Sequence, residues 1–176
     1  MQWKTVLVVW LCCLAAPALA QEQIAFERLS GFALAYEAGT PDRFIREYVP
    51  EGETVERWSQ MQTHQRFPTL AGEDPVAYLQ RVGAALLQAC PDADPQITQG
   101  MVGPFRNAVL YGRCPRNATG PEPETFVLLA VSGREAMHVA QHAWRGAVDA
   151  DAIGARYGVL IEMPLCGGTA GLPACP

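Results

Sequence analysis

The chain has 176 residues and carries 13 Lys and Arg against 18 Asp and Glu, a formal net charge of −5. That acidic balance argues against nucleic acid or an anionic membrane surface as a partner. Half of the residues are apolar, 49% by count, which is enough for a packed core and excludes a disordered chain.

The first twenty residues read as a secretory signal peptide. Lys4 supplies the basic start, Val6 to Ala16 an apolar run, and Ala18-Leu19-Ala20 a small-x-small cleavage site, so the mature chain is expected to begin at Gln21. The apolar run is too short to span a bilayer, and no later stretch reaches about 18 apolar residues. Cys12 and Cys13 follow Val9-Trp10-Leu11, which lacks the small residue a lipoprotein site wants. Removing 20 of 176 residues leaves 156, one domain over 21–176. Lys4 is the sole lysine, so twelve arginines face eighteen carboxylates after cleavage, a net charge of −6. With the Ala, Gly and Pro content, this looks like the coding bias of a high-GC bacterium.

In chain order, a short lead-in reaches Leu29-Ser30-Gly31-Phe32. Residues 32–38 alternate as a strand with one buried face, Gly39-Thr40-Pro41-Asp42 is a turn cluster, and residues 43–49 form a second, antiparallel strand. Val55, Trp58 and Met61 recur at helical spacing, then Met61, Thr63, Gln65 and Phe67 alternate. This predicts one helical turn running into a third strand. Asp74-Pro75 is an N-cap followed by proline at the first helical position. The stripe Val76, Leu79, Val82, Leu86, Leu87 and Cys90 marks a helix that Pro91 stops. Strands are predicted over about 96–102, 105–114 and 125–131. In the second of these Val109 and Tyr111 oppose Ala108 and Leu110, as in a strand covered on both faces. The Gly/Pro-rich stretch 115–124 is a loop. Ser132-Gly133-Arg134 turns into a long strand from Glu135 to Arg145, and a last helix runs from Asp149 to about Met163, ended by Pro164. The fold class is α+β: a mainly antiparallel sheet of six or seven strands covered by two main helices.

The mature chain keeps Cys90, Cys114, Cys166 and Cys175. An even count in an exported chain reads first as disulfides, and four cysteines allow three connectivities. Cys90–Cys114 would tie the end of a helix to a strand, and Cys166–Cys175 would clamp the C-terminal tail; these two are expected. No C-x-x-C occurs, which argues against a zinc or thiol-redox site.

The Leu29-Ser30-Gly31-Phe32 entry, the paired early strands, the helix at 74–90 and the three later strands together resemble the PsbP-like fold. The stretch from Tyr48 to Trp58 is also similar to a segment of small exported proteobacterial proteins. The resemblance covers residues 29–145 as an order of elements. It implies a scaffold or binding module, no reaction and no functional residue.

His138 and His142 are the first chemical candidates, sharing a face on a helix or a strand, with His64 or an Asp as a third metal ligand. Val139 stands where a zinc protease needs Glu, so histidines on a solvated face are the preferred reading. Ser132, His138 and Asp149 could be written as a triad, but Ser132-Gly133 is no nucleophile elbow. Glu51, Glu53 and Glu56 read as a solvated acidic edge rather than a carboxylate pair or calcium loop. Asp92, Asp94, Asp149 and Asp151 read as turn and helix-start residues. Asn117-Ala118-Thr119 matches the glycosylation sequon, usually silent in a bacterium.

Trp58 and Trp144, each beside an arginine (Arg57 and Arg145), are the expected recognition residues, since Trp and Arg dominate binding hot spots. Core packing is expected for at least one of them. With no haem motif and no Gly-rich phosphate loop, no cofactor is expected. The leading expectation is an exported non-catalytic module, periplasmic or secreted, that binds a protein or cell-envelope component. A small metal-dependent or hydrolytic enzyme using His138 and His142, or a structural accessory of an envelope assembly, are the alternatives.

Overall fold

The computed structural model describes residues 21–115, 122–168 and 172–175. The expected signal peptide at 1–20 and the sequon at 117–119 lie outside the described residues. In chain order the elements are β1 (Gln23–Ile24), β2 (Phe32–Gly39), β3 (Phe44–Pro50), β4 (Gln60–Phe67), a 3-10 turn (Pro68–Leu70), α1 (Pro75–Ala89), β5 (Gln96–Val102), β6 (Phe105–Cys114), β7 (Glu124–Ser132), β8 (Met137–Arg145), α2 (Ala150–Ile161) and β9 (Leu165–Cys166). β2 to β8 form one seven-stranded sheet in the order β2-β3-β4-β8-β7-β6-β5, antiparallel throughout, and β1 pairs with β9 in a separate two-stranded ribbon. The fold is α+β, as the periodicities predict.

α1 and α2 cover opposite faces of the sheet. Side chains alternate across a strand, so β6 sends Ala108 and Leu110 to the core beneath α1 and Val109 to the core beneath α2. Leu79, fully buried, anchors α1 on its face, and Leu160 anchors α2 on the other. The Asp74 carboxylate accepts a hydrogen bond from the Val76 N–H at 3.1 Å, with Pro75 at the first helical position, which explains why α1 starts there. Gly112 on β6 has no room for a side chain, because a Cβ would run into the Phe126 ring.

Cys90 is bonded to Cys114, joining the C-cap of α1 to the end of β6, and Cys166 to Cys175, anchoring β9. Among the described residues no helix is long and apolar enough to cross a membrane.

Two local expectations need correction. No helical turn forms over 55–61: the Thr54 N–H donates to the Arg57 carbonyl and the Arg57 N–H to the Thr54 carbonyl, closing a tight turn. The Glu53 carboxylate accepts the Ser59 N–H at 2.6 Å, a side-chain bond that competes with helix. The helical spacing of Val55, Trp58 and Met61 instead reflects a turn that tucks these residues against one core. The last long strand begins at Met137 rather than Glu135, because the Gly133 N–H bonds to the Ala136 carbonyl and keeps the intervening residues in a turn.

Candidate functional site

The turn after β3 and the end of β8 meet in an open cleft of about 470 Å³, lined by Glu53, Arg57, Trp58, Ser59, Glu122 and Arg145. Trp58 lines the cleft but is itself buried by its contacts with the α1-side core. The Arg145 guanidinium lies over the Trp58 ring at 4.1 Å, a cation–π arrangement, and its Nη1 donates to the Glu56 carbonyl at 3.2 Å. The backbone ties the same elements together, since the Arg145 N–H donates to the Ser59 carbonyl. Arg57 is exposed at the mouth and also borders a neighbouring hollow of about 320 Å³ with Gly52, Glu53 and Thr54. Both Glu53 oxygens are engaged by Ser59, one by its N–H and one by its hydroxyl. Glu56 is exposed, and the Thr54 hydroxyl holds its carboxyl below the usual range. The cleft is thus a preformed, charged surface of both signs. It offers the guanidinium N–H groups of Arg57 and Arg145 beside the Trp58 ring.

Three of the four residues chosen as recognition residues, Arg57, Trp58 and Arg145, therefore come together. Trp144 does not. It follows Ala143 with the opposite facing, sits in the α2-side core, and packs at 4.4 Å against the His142 ring.

His138 and His142 are not on a solvated face; both are buried, at 0% and 1% exposure. They lie on β8, where four residues span about 13 Å, so the pair is too widely spaced to grip one metal ion. Among the described residues no group of three His, Cys, Asp or Glu side chains is placed to hold a metal. His138 Nε2 lies 3.1 Å from a Glu22 carboxylate oxygen, and His142 Nε2 lies 3.1 Å from the Gln60 carboxamide oxygen. His64, on the neighbouring strand, is stacked on Phe26 at 4.8 Å and meets Phe44 edge-on at 4.9 Å. Burial, followed by the nearby His138 and Arg46, pushes the His64 pKa down to about 3; burial and Arg156 push that of His142 down to about 4. Asp149 accepts the Ala152 N–H as the N-cap of α2, and His138 is engaged by Glu22, so His138 and Asp149 are not joined as a triad with Ser132 would require. Asp94 accepts from Gln96, as expected of a turn residue.

The sequence does not single out Glu22, Gln62 and Arg66, yet they organise the buried polar seam beside the histidines. Residues 22–29 cross the sheet face over β4 and β8 as a strap. Glu22 is wholly buried, and its carboxylate accepts from His138 and from the N–H groups of Arg134 and Glu135, each near 3.1 Å. Burial opposes ionisation there, but those three hydrogen bonds outweigh it and hold the carboxyl below its usual range. Gly133 is required beside it, since a Cβ would strike a Glu22 oxygen. Arg66 donates to the Glu22 and Asp42 carbonyls and pairs with Glu135 at 3.4 Å. The partners of Glu22 stand more than 110 residues away, and two of its three donors are backbone groups, which no sequence pattern marks.

No protein-family model matches the chain, and no curated protein is significantly similar to it.

Proposed function

We propose that this protein is an exported, disulfide-stabilised binding module that recognises a protein or cell-envelope component through the Arg57–Trp58–Arg145 cleft. The observation that carries this reading is the cleft itself: Arg57, Trp58 and Arg145, the last two 87 positions apart, converge on one open surface. Arginine stacked on tryptophan beside a second arginine is the composition of interface hot spots. Two disulfides suit an oxidising compartment such as the periplasm or the medium. The order of elements over residues 29–145 supports a PsbP-like reading, a fold used as scaffold and binding module.

Arg57 is the residue to change, because it is exposed and Trp58 belongs to the core. With the oxidised mature protein as bait on cell-envelope and culture-medium fractions, one stoichiometric partner should be retained. Arg57→Glu should cut that retention about tenfold or more, while the exposed Arg113→Glu leaves it unchanged. Equal retention by both variants would remove the cleft from recognition.

A further inference from the structure

We propose that the stretch of sheet left open beside α1, centred on Glu47, seats a lysine or arginine side chain of a protein partner. It lies on the same side of the sheet as the Trp58 cleft. The inference rests on the cleft reading only for the choice of a protein as the occupant.

Strand register places four polar side chains in one row. Tyr36 on β2 pairs with Glu47 on β3, Glu47 with Thr63 on β4, and Thr63 with Gln141 on β8. Directly paired residues share a face. Gln141 pairs in turn with Leu128, a member of the core beneath α1, so the whole row points to the α1 side. The helix itself packs over β5, β6 and β7. The row therefore runs out to an open margin: Thr63 is 3% exposed, Gln141 and Glu47 are half-buried, and Tyr36 is 45% exposed.

Glu47 is the group that lacks a partner. Among the described residues no hydrogen bond or ion pair engages its carboxylate, and burial pushes the carboxyl above its usual range. The arginines of the same strands do not answer it: Arg46 and Arg66 point to the opposite side, where they pair with Glu37 and Glu135. The Thr63 hydroxyl next to it is likewise without a hydrogen bond among the described residues. A half-buried carboxylate with no counter-charge is costly, and a cation that donates to it relieves that cost. Two positions along the same strands, Ala38, Ile45 and Phe67 line a hollow of about 330 Å³. Such a hollow suits the apolar stem of a long basic side chain, whose head then reaches Glu47, with the Thr63 and Tyr36 hydroxyls as further acceptors. The hollow is open rather than enclosed, which fits a side chain delivered by a partner's surface.

The test titrates acetyl-Leu-Lys-Leu-amide into the isotope-labelled, oxidised mature protein and follows the backbone amides by NMR. Saturable shifts at Glu47, Thr63 and Gln141 are expected. Binding should weaken about tenfold for the neutral acetyl-Leu-Gln-Leu-amide, and by a similar factor in Glu47→Gln. No saturable shift at these positions, or equal binding by Glu47→Gln, overturns the proposal. Butylamine carries the charge without the peptide, and if it binds as tightly as the lysine peptide, a protein segment is overturned as the occupant. In the free protein Glu47→Gln should keep or raise the melting temperature, because no bond is lost with the charge. A fall of several degrees would make Glu47 a structural group and overturn the proposal as well. Envelope-partner retention in Arg57→Glu is read separately, so the cleft and the Glu47 seat can each fail alone.

Discussion

Glu22 carries more of the fold than any carboxylate on the surface. Its three donors are fixed by β8 and the turn before it, and removing the acceptor leaves His138 and two N–H groups buried without partners. Glu22→Ala should cost about 3 kcal/mol in urea unfolding. Glu37→Ala, which breaks the half-exposed pair with Arg46, should cost less than about 1 kcal/mol. The histidines set the pH dependence. Unfolded, His64 and His142 titrate near the ordinary 6.5; folded, they are depressed to about 3 and about 4. The unfolded chain therefore binds more protons in between. Their stabilising effect is complete above pH 6.5 and lost as pH falls toward 4. Each histidine contributes a slope of roughly 1.4 kcal/mol per pH unit in that window. Unfolding free energies measured from pH 7.5 to 5 should fall accordingly, and His142→Gln should roughly halve the slope.

At the scale of elements, the disulfide between Cys90 and Cys114 closes 24 residues holding β5 and most of β6, and should contribute about 3 kcal/mol. Replacing both cysteines by alanine should lower the melting temperature by several degrees with the far-UV circular dichroism unchanged, since the ladders of β5 and β6 remain. Most of these elements were legible from pattern. Asp74-Pro75 marks the start of α1 through cap chemistry, and the double-sided apolar run of β6 announces helices on both faces. What was not legible is whatever distant partners decide. Val55, Trp58 and Met61 look helical because three-residue spacing also serves a turn folded onto a core. β1 and β9, two residues each, exist only as partners of one another. The cleft was partly legible, because Trp and Arg announce their chemistry locally. The seam was not, because His138 and His142 look the same in sequence whether they face water or Glu22.

For the whole molecule, the cleft and the buried polar seam stand on opposite sides of one sheet. Arg57→Glu, an exposed change on the other side from the seam, should therefore leave the urea unfolding free energy within about 0.5 kcal/mol of the parent. The sheet also has two open edges. On β2 the register shifts between Leu34 and Tyr36, a bulge that interrupts a ladder whose outer residues are exposed and apolar. Such irregularity discourages edge-to-edge association.

The wiring of the strap has a consequence for how the chain acquires its shape as it emerges N-terminus first from a ribosome. Glu22 appears before any strand of the large sheet, yet its seat is made by residues 134–138, and β1 finds its ladder only at Leu165 and Cys166. β4 likewise waits for β8, its neighbour in the middle of the sheet. The early segments thus have nowhere to settle until nearly the whole sequence is out. Long-range pairing of this kind slows folding, with closure of the strap as a late event.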